Sequence, residues 1–233
     1  MRQTTIQMVN WPLNLPIDHY IWHHASMKTP AHQSIARCPI NKILGTEANV
    51  RVLRELLRHG GALGVSRLAG DAGLSRQGAR NAANALSSAG VIEQLGAGNT
   101  ILYRVDMQHP LAPALKALFD GEEARVQAIL QSVRAAVQAP EIIGAWIYGS
   151  FARGEDDLAS DLDIAVLTGQ RDLVVIESVR EQLYPAADKL RFSPSVIGID
   201  LSDVDRLRRG DPWWSTLVRE ALVVKGGRPD SLA

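Results

Sequence analysis

The chain is poor in the features that mark secreted or membrane-embedded proteins. Its 233 residues include a single cysteine, Cys38, which excludes an intramolecular disulfide framework and fits a reducing, cytoplasmic compartment. Nothing near Cys38 resembles a base and an orienting partner, so a catalytic thiol is not indicated. No apolar run approaches the ~18–20 residues that a membrane-spanning helix needs, and the N-terminus lacks the basic-then-apolar pattern of a secretory signal. Net charge is missing as well: 25 Lys and Arg balance 25 Asp and Glu. No global electrostatic case for a nucleic-acid or membrane partner follows, so any such case has to be local. What is present is an ordinary globular composition, 46% hydrophobic, with room for one large domain or two small ones.

Residues 1–40 carry Trp11, Trp22, four prolines and four of the six histidines without a sustained period. His19, His23, His24 and His32 lack the paired cysteine or carboxylate spacing of a zinc site. An extended arm that packs its aromatics on a neighbouring surface is the expectation. From Thr46 the pattern sharpens. Val50, Leu53, Leu56 and Leu57 recur at helical spacing until Gly60-Gly61, a second short helix fits Val65–Ala72, and Ser75 can cap a third that runs to about Ala89. Val91–Gln94 and Ile101–Val105 then read as two short strands of a hairpin. Three helices followed by a hairpin is the order of a winged helix-turn-helix, expected over residues 41–106. The third helix offers Ser75, Arg76, Gln77, Arg80, Asn81 and Asn84 on its polar side and no acid between Leu74 and Ala89. Arg and Asn are side chains that read base edges in a major groove. Seven Arg against four acids between Thr46 and Val105 give a local excess of +3. Double-stranded DNA is the expected partner of this face, with a dimerisation or protein-docking role as the alternative.

Residues 107–140 read as a helical connector. One helix opens at His109-Pro110 and is broken by Gly121; a second, Glu122–Gln138, carries Val126, Ile129, Leu130, Val133 and Val137 as its buried stripe. These helices either pack on the next domain or mediate homodimer contact.

The stretch Ile142–Leu167, IIGAWIYGSFARGEDDLASDLDIAVL, concentrates the chemistry. Ile142–Tyr148 reads as a buried strand. Gly149-Ser150 then starts a tight turn into a short helix at Phe151-Ala152-Arg153. A glycine lets backbone approach a phosphate closely, Ser150 adds a hydroxyl, and Arg153 adds charge to a phosphate or pairs locally with Glu155–Asp157. Ten residues further on, Asp161 and Asp163 lie in an apolar run, two apart and therefore on one face of a strand. Two like charges there repel, and a divalent cation such as magnesium is the usual remedy.

Gly149-Ser150, the ten-residue spacer and Asp161-Leu162-Asp163-Ile164 together resemble the signature of the DNA polymerase beta-type nucleotidyltransferase superfamily. The wording GSFARG and SDLDI is particularly similar to its small prokaryotic branch, the minimal nucleotidyltransferases. The order of winged helix, connector and this domain also resembles bacterial and archaeal winged-helix nucleotidyltransferases over roughly residues 41–225. The resemblance implies that Asp161 and Asp163 hold two magnesium ions against the triphosphate of an NTP. Gly149 and Ser150 would hold its β- and γ-phosphates, and a nucleoside monophosphate would pass to a hydroxyl acceptor. It also implies a third carboxylate on a later strand. Asp200, in the run Ser195–Leu201, is the candidate, although the family's acid often sits near the strand start, which here means Ser195 or Ile197.

Downstream, a helix is expected at Asp172–Leu190 and another at Ser202–Arg209. Trp213-Trp214 open a third, to stack on a base or to fill a helix–sheet interface. Leu222-Val223-Val224 close the domain as an edge strand, ahead of a frayed tail. The expected fold class is α+β: an N-terminal winged helix-turn-helix domain plus a nucleotidyltransferase domain with a small mixed sheet flanked by helices. The boundaries are 1–40 for the arm, 41–106, 107–140, 141–226 and 227–233 for the tail. A nucleotide-sensing or catalytically silent transcription regulator, or a toxin–antitoxin component, is the alternative to an active enzyme.

Overall fold

The computed structural model describes residues 38–96, 101–157 and 159–231. The expected N-terminal arm lies outside the described residues up to Arg37, including its four histidines, as does the hairpin tip at 97–100. The chain divides into two compact units, Met1–Pro113 and Ala114–Ala233. Among the described residues, no helix is long and apolar enough to cross a membrane.

The first unit begins with the short helix α1 (Ile40–Ile43) and continues with α2 (Glu47–His59), β1 (Leu63–Gly64), α3 (Val65–Asp71), α4 (Arg76–Ser88), β2 (Ile92–Leu95) and β3 (Leu102–Val105). Local chemistry sets each boundary. The Thr46 hydroxyl accepts the Asn49 N–H to cap α2, and Gly60, at φ 71°, ends it in the left-handed conformation. Ser75 caps α4 by accepting from Gly78 N–H. The buried face of α2 is turned slightly from the expected one: Val52, Leu53 and Leu56 are buried, and so is Asn49, whose amide donates to the Lys42 carbonyl at 2.9 Å. Opposite α2, α4 presents Ala79, Ala82, Ala83 and Leu86, and the small alanines let the two helices pack closely. The two-residue strand β1 was not legible as a periodic run. It pairs antiparallel with β3, which also pairs with β2, giving the order β1-β3-β2. The helices α2, α3 and α4 and then the pair β2 and β3 follow in the order read from the sequence, with β1 added between α2 and α3.

A long helix, α5 (Ala112–Ala136), leads into the second unit. The break expected at Gly121 does not occur. A helical glycine costs only about 1 kcal/mol relative to alanine, and the good helix formers around it, with Ile129, Val133 and Ala136 buried, outweigh that. There follow β4 (Ile142–Tyr148), α6 (Gly149–Arg153), β5 (Leu162–Thr168), α7 (Leu173–Leu190), β6 (Pro194–Asp200), α8 (Leu201–Leu207), α9 (Pro212–Glu220) and β7 (Leu222–Lys225). The mixed sheet has the order β6-β5-β4-β7, with β5 and β6 parallel and the other pairs antiparallel. Alternation divides the strands between two cores. Leu162, Ile164, Val166 and Val196 face one, with Ile129 and Val133 of α5 and Ile176, Val179 and Leu183 of α7. Ala165, Leu167, Trp146 and Ile199 face the other, with Val204 of α8 and Trp214 and Leu217 of α9. Arg191, left-handed at φ 56° where α7 ends, is braced by Arg125, whose guanidinium donates to the Leu190 and Arg191 carbonyls at 2.8 Å.

The described part of the C-terminal segment is docked rather than frayed. The Trp146 indole donates to the Gly227 carbonyl at 2.8 Å, Arg228 donates to the Val218 carbonyl at 2.7 Å, and Pro229–Ser231 form a turn of 3₁₀ helix with Pro229 buried.

Candidate functional site

The acid pair sits where β5 begins. Asp161 immediately precedes the strand and is exposed; Asp163 is its second residue and is half-buried. Register then names Asp163's neighbours. On β4 it pairs with Tyr148, and on β6 with Ser195. All three stand on the face that carries Ala165, Leu167 and Ile199, at the margin of the core beneath α8 and α9. Register sets Ser195 directly beside Asp163 on the neighbouring strand. Burial pushes the Asp163 carboxyl above the usual range, the Ser195 hydrogen bond offsets part of this, repulsion from Asp161 adds to it, and Arg153 draws it down.

Gly149 follows Tyr148 directly. Its φ of 78° lies in the left-handed region, and a Cβ there would collide with a carboxylate oxygen of Asp163. The turn into α6 and Asp163 are therefore pressed together. On the other flank, Tyr148 meets Trp213 edge-to-face, with ring centroids 5.7 Å apart at 87°. Burial raises the Tyr148 phenol, a hydrogen bond with Trp213 lowers it, and the Asp163 charge raises it again. Trp213 thus packs on Tyr148, the β4 neighbour of Asp163, whereas Trp214 is buried in the core and fills the helix–sheet interface.

Arg153 takes the local-pairing option and reaches further than expected. It holds Glu155 at 2.7 Å and Glu220, at the end of α9, at 2.6 Å. The Glu220 side chain is only 7% exposed and also meets Arg219 at 2.8 Å, so this clamp fixes α6 against α9. Delivering Arg153 to a phosphate requires loosening it.

Asp200 does not join Asp163. It pairs in register with Thr168, five residues beyond the Asp163–Ser195 pair, which is roughly 16 Å at the rise of a strand. Its parity also puts it on the opposite face. At the end of β6 it caps α8: its Oδ1 accepts from Asp203 N–H at 2.9 Å and Ser202 Oγ at 2.6 Å while Asp203 bonds back to its N–H. The Ser202 hydroxyl, then the Asp203 amide, hold its carboxyl below the usual range. The expected third carboxylate is thus a helix cap, and the strand-start position carries Ser195. Among the described residues no cluster of three or more His, Cys, Asp or Glu could hold a metal ion. Two carboxylates at a strand end do fit one magnesium ion that keeps waters and takes its remaining ligands from phosphates. They do not complete a second ion's ligand set.

Asp161 also lines an open groove of about 1080 Å³, with Phe151, Ser160, Tyr184, Arg191 and Phe192 among its walls. Sequence reasoning missed this groove and the Tyr148–Trp213 pair.

In the first unit, the six side chains expected at DNA are all exposed along α4 or at its cap. Arg76 and Arg80 make no ion pair among the described residues. Asn84 is engaged: its Oδ1 accepts from Gln94 at 3.3 Å and from the Tyr103 hydroxyl at 3.4 Å, tying α4 to the hairpin.

Residues 131–197 match the family described as Polymerase beta, Nucleotidyltransferase. The matched stretch contains Gly149, Ser150, Asp161, Asp163 and Ser195 and ends before Asp200. No curated protein sequence matches the chain. Among solved structures, the AntR antimony-specific transcriptional repressor is similar over 47% of this chain and 94% of its own, at 20% identity and a TM-score of 0.35. A toxin–antitoxin structure with AMP-PNP is similar over 46% of this chain and 76% of its own, at 22% identity and a TM-score of 0.29. A tri-AMPylated Shewanella oneidensis HEPN toxin in complex with MNT antitoxin is similar over 46% and 75%, at 20% identity and a TM-score of 0.27.

Proposed function

We propose that the second unit binds an NTP with magnesium and transfers its nucleoside monophosphate to a hydroxyl acceptor, while the first unit binds double-stranded DNA through α4. The observation that carries the first half is Asp163, with Asp161 two residues before it, pressed against the Gly149 turn inside the stretch that matches the nucleotidyltransferase family. Gly149 leaves room for the triphosphate to approach backbone, Ser150 offers a hydroxyl to a phosphate oxygen, and Arg153, once freed from one of its two acids, adds positive charge. Asp161 and Asp163 would hold the cation; when bound, it supplies charge stabilisation at the phosphoryl oxygens and the pyrophosphate leaving group. Attack by the acceptor oxygen forms its bond to the α-phosphorus as the bond to the pyrophosphate oxygen breaks, with pyrophosphate leaving and the hydroxyl proton passing to solvent water.

Supporting the second half are the exposed, acid-free face of α4 and its two arginines, which make no ion pair among the described residues. A regulator that only senses a nucleotide is the second reading, favoured by the serine beside Asp163 where a third acid was expected. Incubation with labelled NTPs, magnesium and DNA, RNA or protein acceptors separates the two. Label transfer that Asp161→Ala abolishes supports the enzyme. If no acceptor takes label, and Asp163→Ala still binds DNA with an affinity that NTP shifts in the parent, the sensor is correct.

A further inference from the structure

Resting on the nucleotide-site reading above, we infer that the site holds one divalent cation rather than two, and that Ser195 is the residue that positions Asp163 to hold it. Two ions about 3.5–4 Å apart clamp both the attacking and the leaving oxygen only if the protein supplies ligands to both. Here the described residues offer Asp161 and Asp163 and no third His, Cys, Asp or Glu that completes a cluster. Two strand positions are registered against Asp163, and neither holds a carboxylate: β4 offers Tyr148 and β6 offers Ser195. A hydroxyl there fixes the orientation of one carboxylate and adds no charge for a second ion. Asp200, the acid of β6, lies five residues along the strand from Ser195, and its Oδ1 is engaged in the α8 cap.

Manganese binding to the full chain, followed by electron paramagnetic resonance with a non-hydrolysable ATP analogue present, tests this without depending on turnover. One manganese per chain is expected, with no coupling between ions. Two coupled ions in the parent protein overturn the inference while leaving the nucleotide site intact. No nucleotide-dependent manganese at all overturns the nucleotide site, and the inference with it. Ser195→Ala is expected to keep the stoichiometry at one and weaken manganese affinity about tenfold, as loss of a ligand-orienting hydrogen bond does. Ser195→Thr, which keeps the hydroxyl, is expected to restore it. Equal affinities for the alanine variant and the parent refute the positioning role. Ser195→Asp, if folded, is expected to bind a second manganese ion; a stoichiometry that stays at one in that folded variant also counts against the inference.

Discussion

Replacing Gly149 by alanine probes the close approach on which the site depends, and Gly154 supplies an internal control. Both glycines have left-handed φ, 78° and 68°, but a Cβ on Gly154 meets nothing within 4 Å, whereas one on Gly149 runs into Asp163. Gly154→Ala therefore carries only the conformational cost of alanine at positive φ, about 1 kcal/mol net of the reduced freedom of the unfolded chain. Gly149→Ala carries the same cost and also forces the Asp163 carboxylate aside. If that breaks the Ser195 hydrogen bond, a charged one, the further loss is about 1.5–3 kcal/mol. Together these make roughly 2.5–4 kcal/mol against about 1. At about 4 °C per kcal/mol for a unit of this size, Tm is expected to fall roughly 10–16 °C in the first variant and about 4 °C in the second. Three of the five tryptophans, Trp146, Trp213 and Trp214, lie in this unit, so fluorescence-monitored melting, with Trp11 and Trp22 contributing from the other, is read alongside calorimetry. Binding of a fluorescent ATP analogue with magnesium is expected to weaken at least about tenfold in Gly149→Ala and to stay unchanged in Gly154→Ala. Equal melting shifts and equal affinities in the two variants would refute the reasoning.

Asp163→Asn removes a carboxyl whose folded-state pKa is raised, chiefly by burial. The native state then binds the proton more tightly than the unfolded one. This group's contribution is most favourable below the ordinary carboxylate pKa and is lost as pH rises from there through the raised folded-state pKa. The variant is accordingly expected to be more stable than the parent near neutral pH, by about 0.5–2 kcal/mol, with the gap closing in acid, while losing cation-dependent nucleotide binding; Tm measured against pH checks the sign. Asp200→Ala removes the α8 cap and is expected to cost about 0.5–2 kcal/mol with nucleotide affinity unchanged; a collapse of that affinity in a folded variant would put Asp200 back in the site. Arg76→Ala with Arg80→Ala is expected to weaken DNA binding and, if both touch phosphates, to reduce the slope of log affinity against log salt by about 2, measured by fluorescence anisotropy.

The legible parts of this chain were those governed by local rules. Thr46, Ser75 and Gly60 announced the ends of α2 and α4 because caps are short-range chemistry, and the near-continuous apolar run of β4 read as a buried strand because both of its faces are covered. The acid pair was visible from parity alone, since Leu162 and Ile164 had to point into the core. What escaped depends on register. Nothing in the sequence tells how far β6 slides along β5, and that slide decides whether Ser195 or Asp200 faces Asp163. The clamp of Arg153 on Glu220 joins residues 67 positions apart, beyond any spacing rule. Gly121 misled for a different reason: propensity is a weak term, and a 25-residue helix with buried flanks absorbs one glycine.

The site itself is most directly tested by a crystal structure of the protein with a non-hydrolysable NTP and manganese, using anomalous scattering to locate the ion. The expected result is a triphosphate lying along Gly149 and Ser150, with manganese bound by both Asp161 and Asp163. Nucleotide bound elsewhere, or an ion that touches neither carboxylate, would contradict it.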